Sequence, residues 1–80
     1  MKELKAGQRY RHFRTQNTYI ILGIGHHTET VEKLVIYQGE YEDPKFGVHP
    51  IWARPYEMFI EDVEVEGEPV ERFTLIQDIV

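Results

Sequence analysis

The chain has 80 residues, 14 acids against 9 Lys and Arg, and no cysteine, for a net charge of −5. One domain spanning 1–80 fits this length, and without cysteine there is no disulfide framework, thiolate nucleophile or cysteine zinc centre. An acidic chain is also poorly suited to coating nucleic acid, whose phosphates call for a broad positive surface.

Gly7 to Arg14 reads as a first strand, with β-favouring Tyr10 and Phe13 among basic side chains. The charge is uneven along the chain. Lys2, Lys5, Arg9, Arg11 and Arg14 face only Glu3 at this end, whereas Arg72 stands against eight acids after Arg54. The plainer expectation is that the two segments lie near each other and neutralise. Thr15-Gln16-Asn17 is a polar turn.

Thr18 to Gly25 is the strongest strand signal, β-branched and aromatic with no helical period. Gly23 and Gly25 leave from one face and mark a bulge or a sharp bend. Alternation from them puts Ile20, Leu22 and Ile24 in the core and His26 on the core side. After the polar reversal Thr28-Glu29-Thr30, a third strand runs from Lys33 to Gln38, with Leu34 and Ile36 opposite in face to Val35 and Tyr37. Gly39 to His49 has the composition of a long loop.

Pro50 restricts the strand Ile51 to Arg54 to an edge or a strand start. Pro55 suits the first position of a short helical turn near 55–60, and Glu57 favours its positive end. Met58 and Phe59 should plug the end of the core. A closing hairpin follows, with Val63 and Val65 inward on one arm and Phe73 and Leu75 inward on the other, the second arm running from Val70 to Ile76. Five or six short strands with one helical turn predict an all-β fold, a small, bent barrel of SH3-like type. No stretch nears about 18 consecutive apolar residues and no charged leader precedes an apolar run, so no membrane partner is expected and a cytoplasmic location is the default.

Taken together, Tyr10-Arg11-His12-Phe13, His27-Thr28-Glu29-Thr30, Val35-Ile36-Tyr37, Trp52 to Phe59 and Arg72-Phe73 resemble a family of small bacterial domains of unknown function. The resemblance covers Gly7 to Leu75 and implies an SH3-type barrel. It transfers no catalytic residue and no cofactor. The stretch from Gly39 to Ile51 departs from the pattern, with Asp43 to Gly47 long.

His12, His26 and His27, with Glu29 nearby, have the side chains of a metal site. Adjacent strand residues point to opposite faces, however, and the spacing matches no zinc motif. The plainer reading is a histidine that caps a turn. His27 beside Thr28 resembles a base beside a hydroxyl, but acyl transfer also needs an oxyanion hole, and the Thr28, Glu29 and Thr30 side chains suit a turn better.

Tyr10, His12, His27, Tyr37, Trp52 and Arg54 are the candidate ligand-binding residues. Tyr and Trp supply rigid contact area, and Arg54 can stack on a ring or grip a carboxylate or phosphate. The plainer reading makes Trp52 core and pairs Arg54 with Glu57 or another acid. The pattern points to a non-catalytic module that binds a protein or peptide, with no cofactor and no metal. Nucleic-acid contact through Arg9, Arg11 and Arg14 is the alternative, and a small enzyme or metal protein the third reading. An edge strand from Val48 to Arg54 offers a route to a homodimer.

Overall fold

Inward-pointing aromatic side chains at alternate positions organise the main sheet. The computed structural model describes residues 3–79. Strands β1 (Arg9–His12), β2 (Thr18–His26), β3 (Lys33–Gly39), β6 (Ile51–Pro55) and β9 (Phe73–Gln77) pair antiparallel in the order β6-β3-β2-β1-β9. Two short ribbons stand apart from it, β4 (Glu42–Asp43) with β5 (Gly47–Val48) and β7 (Asp62–Val65) with β8 (Glu68–Glu71). Helix α1 (Tyr56–Ile60) follows β6 directly, with Pro55 at its N-cap, one residue before the helical position expected for it. No helix among the described residues is long and apolar enough to cross a membrane.

The fold is mostly β, and the sheet is not closed into a barrel. β6 and β9 are its edges, and no backbone ladder joins them. Side chains span the gap instead. The guanidinium carbon of Arg54 on β6 lies 5.5 Å from the ring centre of Phe73 on β9, and Phe59 from α1 stacks on Phe73 at 4.0 Å.

Tyr10, Tyr19, Ile21, Val35, Tyr37, Phe59 and Phe73 form the core, joined by Leu4 from ahead of β1. The rings meet mainly edge to face, as in Tyr10–Phe59 at 5.4 Å and Tyr37–Phe59 at 5.2 Å. Such pairs contribute about 0.5–1.5 kcal/mol each beyond area burial. Gln8 is the one buried polar residue described. Its Oε1 accepts the Lys5 amide at 2.8 Å, and its amide group donates to Asp78 at 3.0 Å.

Several expectations about which face turns inward are corrected. On β2 it is Tyr19 and Ile21 that are buried, while Leu22 is 42% exposed. Residues 18 to 24 are largely apolar on both faces, so alternation alone admits two phases. Pairing settles it, because Tyr19 lies opposite Tyr10 and Ile21 opposite Tyr37. The register then shifts between Ile21 and Gly23, which is the bulge that the glycines signalled. Ile24 consequently pairs with Val35 but stays exposed beyond the core, as does His26.

Phe59 is buried as expected, whereas Met58 is 43% exposed, since the single-turn helix turns Phe59 inward with Tyr56 and Ile60 packed against the core beside it. The segment after Pro69 is not one arm. It breaks at Arg72, with β8 paired to β7 and β9 crossing to β1. Phe73 is buried, Val63 half-buried, and Val65 and Leu75 are exposed. The loop expected between Gly39 and His49 contains the β4–β5 ribbon.

The basic and acidic ends do adjoin, through β1 and β9. Charge is nevertheless neutralised elsewhere. Arg9 pairs with Glu40 at 2.7 Å and bonds Gln77, and Arg72 pairs with Glu61 at 2.8 Å. Lys2 lies outside the described residues.

Candidate functional site

Directly opposite residues of antiparallel strands share a face, and the ladders therefore set the site. Tyr37 on β3 stands opposite Trp52 on β6, Val35 opposite Arg54, and His12 on β1 opposite Phe73 on β9. Tyr19 on β2 faces Gly39 on β3. The ring of Tyr41 occupies the space this glycine leaves, and a Cβ at Gly39 would come within 2.8 Å of Tyr41 Cζ.

These residues enclose a pocket of about 230 Å³. Its aromatic walls are Tyr19, Tyr37, Tyr41, Trp52 and Phe73, and its other members are His12, Thr15 and Arg54. Hydrogen bonds hold the walls. Trp52 Nε1 donates to the Tyr41 hydroxyl at 3.0 Å, the Tyr19 hydroxyl donates to that of Tyr41 at 3.4 Å, and Arg54 Nε donates to the Tyr37 hydroxyl at 3.1 Å.

Gly39→Ala is expected to expel the Tyr41 ring. The released Trp52 bond should cost about 1 kcal/mol, and the tryptophan emission should change as its surroundings open. An alanine variant with wild-type emission and unfolding midpoint contradicts this packing.

No carboxylate lines the pocket, although the chain carries 14 acids. Arg54 forms no ion pair among the described residues, contrary to the pairing with Glu57. Trp52 is half-buried, one face toward the pocket and Phe46 edge-on at 5.2 Å. It is a wall rather than core.

His12 packs edge-on against Phe73 at 5.1 Å, and its Nδ1 accepts the Arg14 amide at 3.2 Å. The neutral ring therefore carries its proton on Nε2. Burial lowers the His12 pKa most, and Arg54, Arg72 and Arg14 lower it further. The unfolded chain binds this proton near the ordinary histidine value of about 6.5, and the folded chain only at lower pH. Stability is thus undiminished above about pH 6.5 and falls as the pH drops below it. Glu40 and Asp78, held low chiefly by hydrogen bonds from Arg9 and Gln8, act further down the scale. Urea midpoints measured between pH 7.5 and 5.5 should decline, and His12→Asn should flatten the decline. An equal slope in the variant contradicts the assignment.

The structure brings together four of the six candidates, His12, Tyr37, Trp52 and Arg54. Tyr10 lies in the core instead, its hydroxyl donating to Gln8 at 3.3 Å and its phenol pKa pushed up to about 12, mainly by burial. His27 is exposed in the turn after β2, where its Nδ1 accepts the amides of Glu29 at 3.1 Å and Thr30 at 3.3 Å. It caps that turn. No three His, Asp or Glu side chains converge on a metal position among the described residues.

Tyr19, Tyr41, Phe73 and Thr15 belong to the pocket without having been singled out. Gly39 was the available signal for Tyr41, since a glycine ending a bulky strand marks the close approach of another group. A second cavity of about 450 Å³ shares His12 and is lined also by Phe13, Arg14, Val63, Glu64, Val65 and Arg72.

The model of the family described as "Protein of unknown function (DUF1653)" matches residues 8–75. The crystal structure of a DUF1653 protein from Bordetella bronchiseptica resembles this fold with a TM-score of 0.78 and 26% identity. The match covers 100% of this chain and 96% of that one. No curated protein matches. With 68 consecutive residues, most of its length, matched to the family, and a fold shared along the whole chain, this protein belongs to the DUF1653 family.

Proposed function

We propose that this chain is a small non-catalytic binding module, an incompletely closed variant of the SH3-like barrel, that takes a protein or peptide segment in the pocket of His12, Tyr37, Trp52 and Arg54. The observation that carries the reading is the convergence of five aromatic rings and one guanidinium without an ion-pair partner in a pocket that no carboxylate lines. Fixed rings offer contact area at little entropic cost. β6, which supplies Trp52 and Arg54, pairs with β3 alone. An extended peptide added along that edge directs alternate side chains toward the concave face.

The second reading is nucleic-acid contact through the first strand, supported by the exposed Arg11 and Arg14. Arg9 contributes little to it, being neutralised by Glu40. That reading predicts affinity that falls steeply with salt.

Trp52 is the sole tryptophan, so its fluorescence reports the pocket directly. Titration with an array of short peptides should give a saturable emission change for a subset of sequences. Binding with unchanged emission places the partner elsewhere, and an oligonucleotide that binds where every peptide fails supports the second reading. A change that depends only on protein concentration indicates a second copy along β6.

A further inference from the structure

The polar groups of the pocket are unequally divided between donors and acceptors. Arg54 spends Nε on the Tyr37 hydroxyl, and that bond fixes the plane of the guanidinium. Both terminal nitrogens remain without a partner among the described residues. The Tyr37 hydroxyl, having accepted from Arg54, keeps its own proton to give. His12 has Nδ1 occupied by the Arg14 amide, so its neutral ring also offers an N–H. Trp52 Nε1 is already committed to Tyr41. Donors are in excess, and no acid is present to receive them.

We propose that the pocket recognises a carboxylate, held end-on by the two terminal nitrogens of Arg54 with His12 as a further donor, while the apolar part of the same or the neighbouring ligand residue lies against Tyr37, Trp52 and Phe73. The assignment rests on the binding-module reading above and supplies its ligand chemistry. A planar fork matches the two oxygens of a carboxylate, and such charge-assisted pairs are shorter and stronger than neutral ones.

Aromatic cages also suit cationic ammonium groups, but here the guanidinium of Arg54 already lies 5.5 Å from the Phe73 ring centre, and a second cation would be repelled. A phosphate dianion is less well matched. One unpaired guanidinium lines the pocket, Arg72 is paired with Glu61, and the chain carries −5 overall. A single carboxylate balances the single fork.

A peptide carboxylate has two sources, an Asp or Glu side chain and a free chain terminus. Four N-acetylated probes separate them: Gly-Ser-Phe-Glu-Ser-Gly-amide, its Gln counterpart, Gly-Ser-Gly-Phe with a free carboxylate, and the same peptide amidated. Trp52 emission and calorimetry supply the affinities. At least one charged probe should bind roughly ten- to a hundredfold more tightly than its neutral partner, as expected for hydrogen bonds to a charged group. The probe that discriminates identifies the source. Arg54→Gln should abolish the discrimination, Arg54→Lys should retain part of it by keeping the charge without the fork, and Arg11→Gln should leave it intact. Dispersed amide spectra verify that each variant is folded.

Equal binding of charged and neutral probes overturns the carboxylate assignment while leaving the peptide-binding module standing. Failure of all four, or a phosphoserine peptide binding more tightly than its Glu counterpart, also overturns it. Discrimination that survives Arg54→Gln places the anion site elsewhere.

Discussion

Phe73→Ala should lower stability by about 3–5 kcal/mol, the range for truncating a fully buried phenylalanine. Phe73 is 1% exposed and is the ring on which the others converge. It lies parallel to Phe59 at 4.0 Å and meets Tyr19, Tyr37 and His12 edge-on at 5.8, 5.7 and 5.1 Å. A domain of 80 residues has a total stability of about 4–12 kcal/mol. The loss is therefore a large share of the total, and enough to unfold the variant if the parent lies at the lower end of that range. Urea unfolding followed by circular dichroism should show the midpoint reduced by more than about 1 M, given slopes of about 1–3 kcal/mol/M. Phe73 also bridges the two sheet edges, and a loss below about 1 kcal/mol would mean that the edges are held together by something other than these rings.

The second large effect separates two neighbours on β2. Ile21→Ala should cost about 2–5 kcal/mol, because Ile21 is 1% exposed and opposite Tyr37. Leu22→Ala should cost less than about 1 kcal/mol, since the side chain sits at the bulge and stays largely in water. Parallel urea titrations decide between them. A reversed order would mean that the strand presents its other face to the core.

That pair also shows where the sequence is informative and where it stops. A continuous apolar run such as 18–24 announces a strand but not its inner face. The face is chosen by Tyr10 and Tyr37 on the flanking strands, at distances along the chain that no local pattern reports. The edge position of β6 was legible from Pro50, and the burial of Phe59 from the short turn after Pro55. The break at Arg72 left a trace that was passed over, since the consecutive polar residues Glu71 and Arg72 put Val70 out of phase with Phe73 and Leu75.

At the pocket, Trp52 and Arg54 were visible as neighbours on one strand face, and Tyr37 as an aromatic in the strand before them. Their meeting with His12 depends on the order of strands in a curled sheet. Tyr41 was hidden in an apparent loop, and the turn-capping of His27 became distinguishable from ligand contact only once its amide partners were in place.

The most direct measurement is an amide and side-chain NMR titration with the discriminating carboxylate peptide, following the Trp52 indole N–H and the Arg54 Nε–H beside the backbone. The account predicts shifts concentrated at His12, Tyr37, Tyr41, Trp52 and Arg54, with the Trp52 indole and Arg54 Nε among the largest. Shifts confined to the 27–32 turn, or to the exposed Arg11 on the first strand and Arg14 in the turn after it, would contradict it.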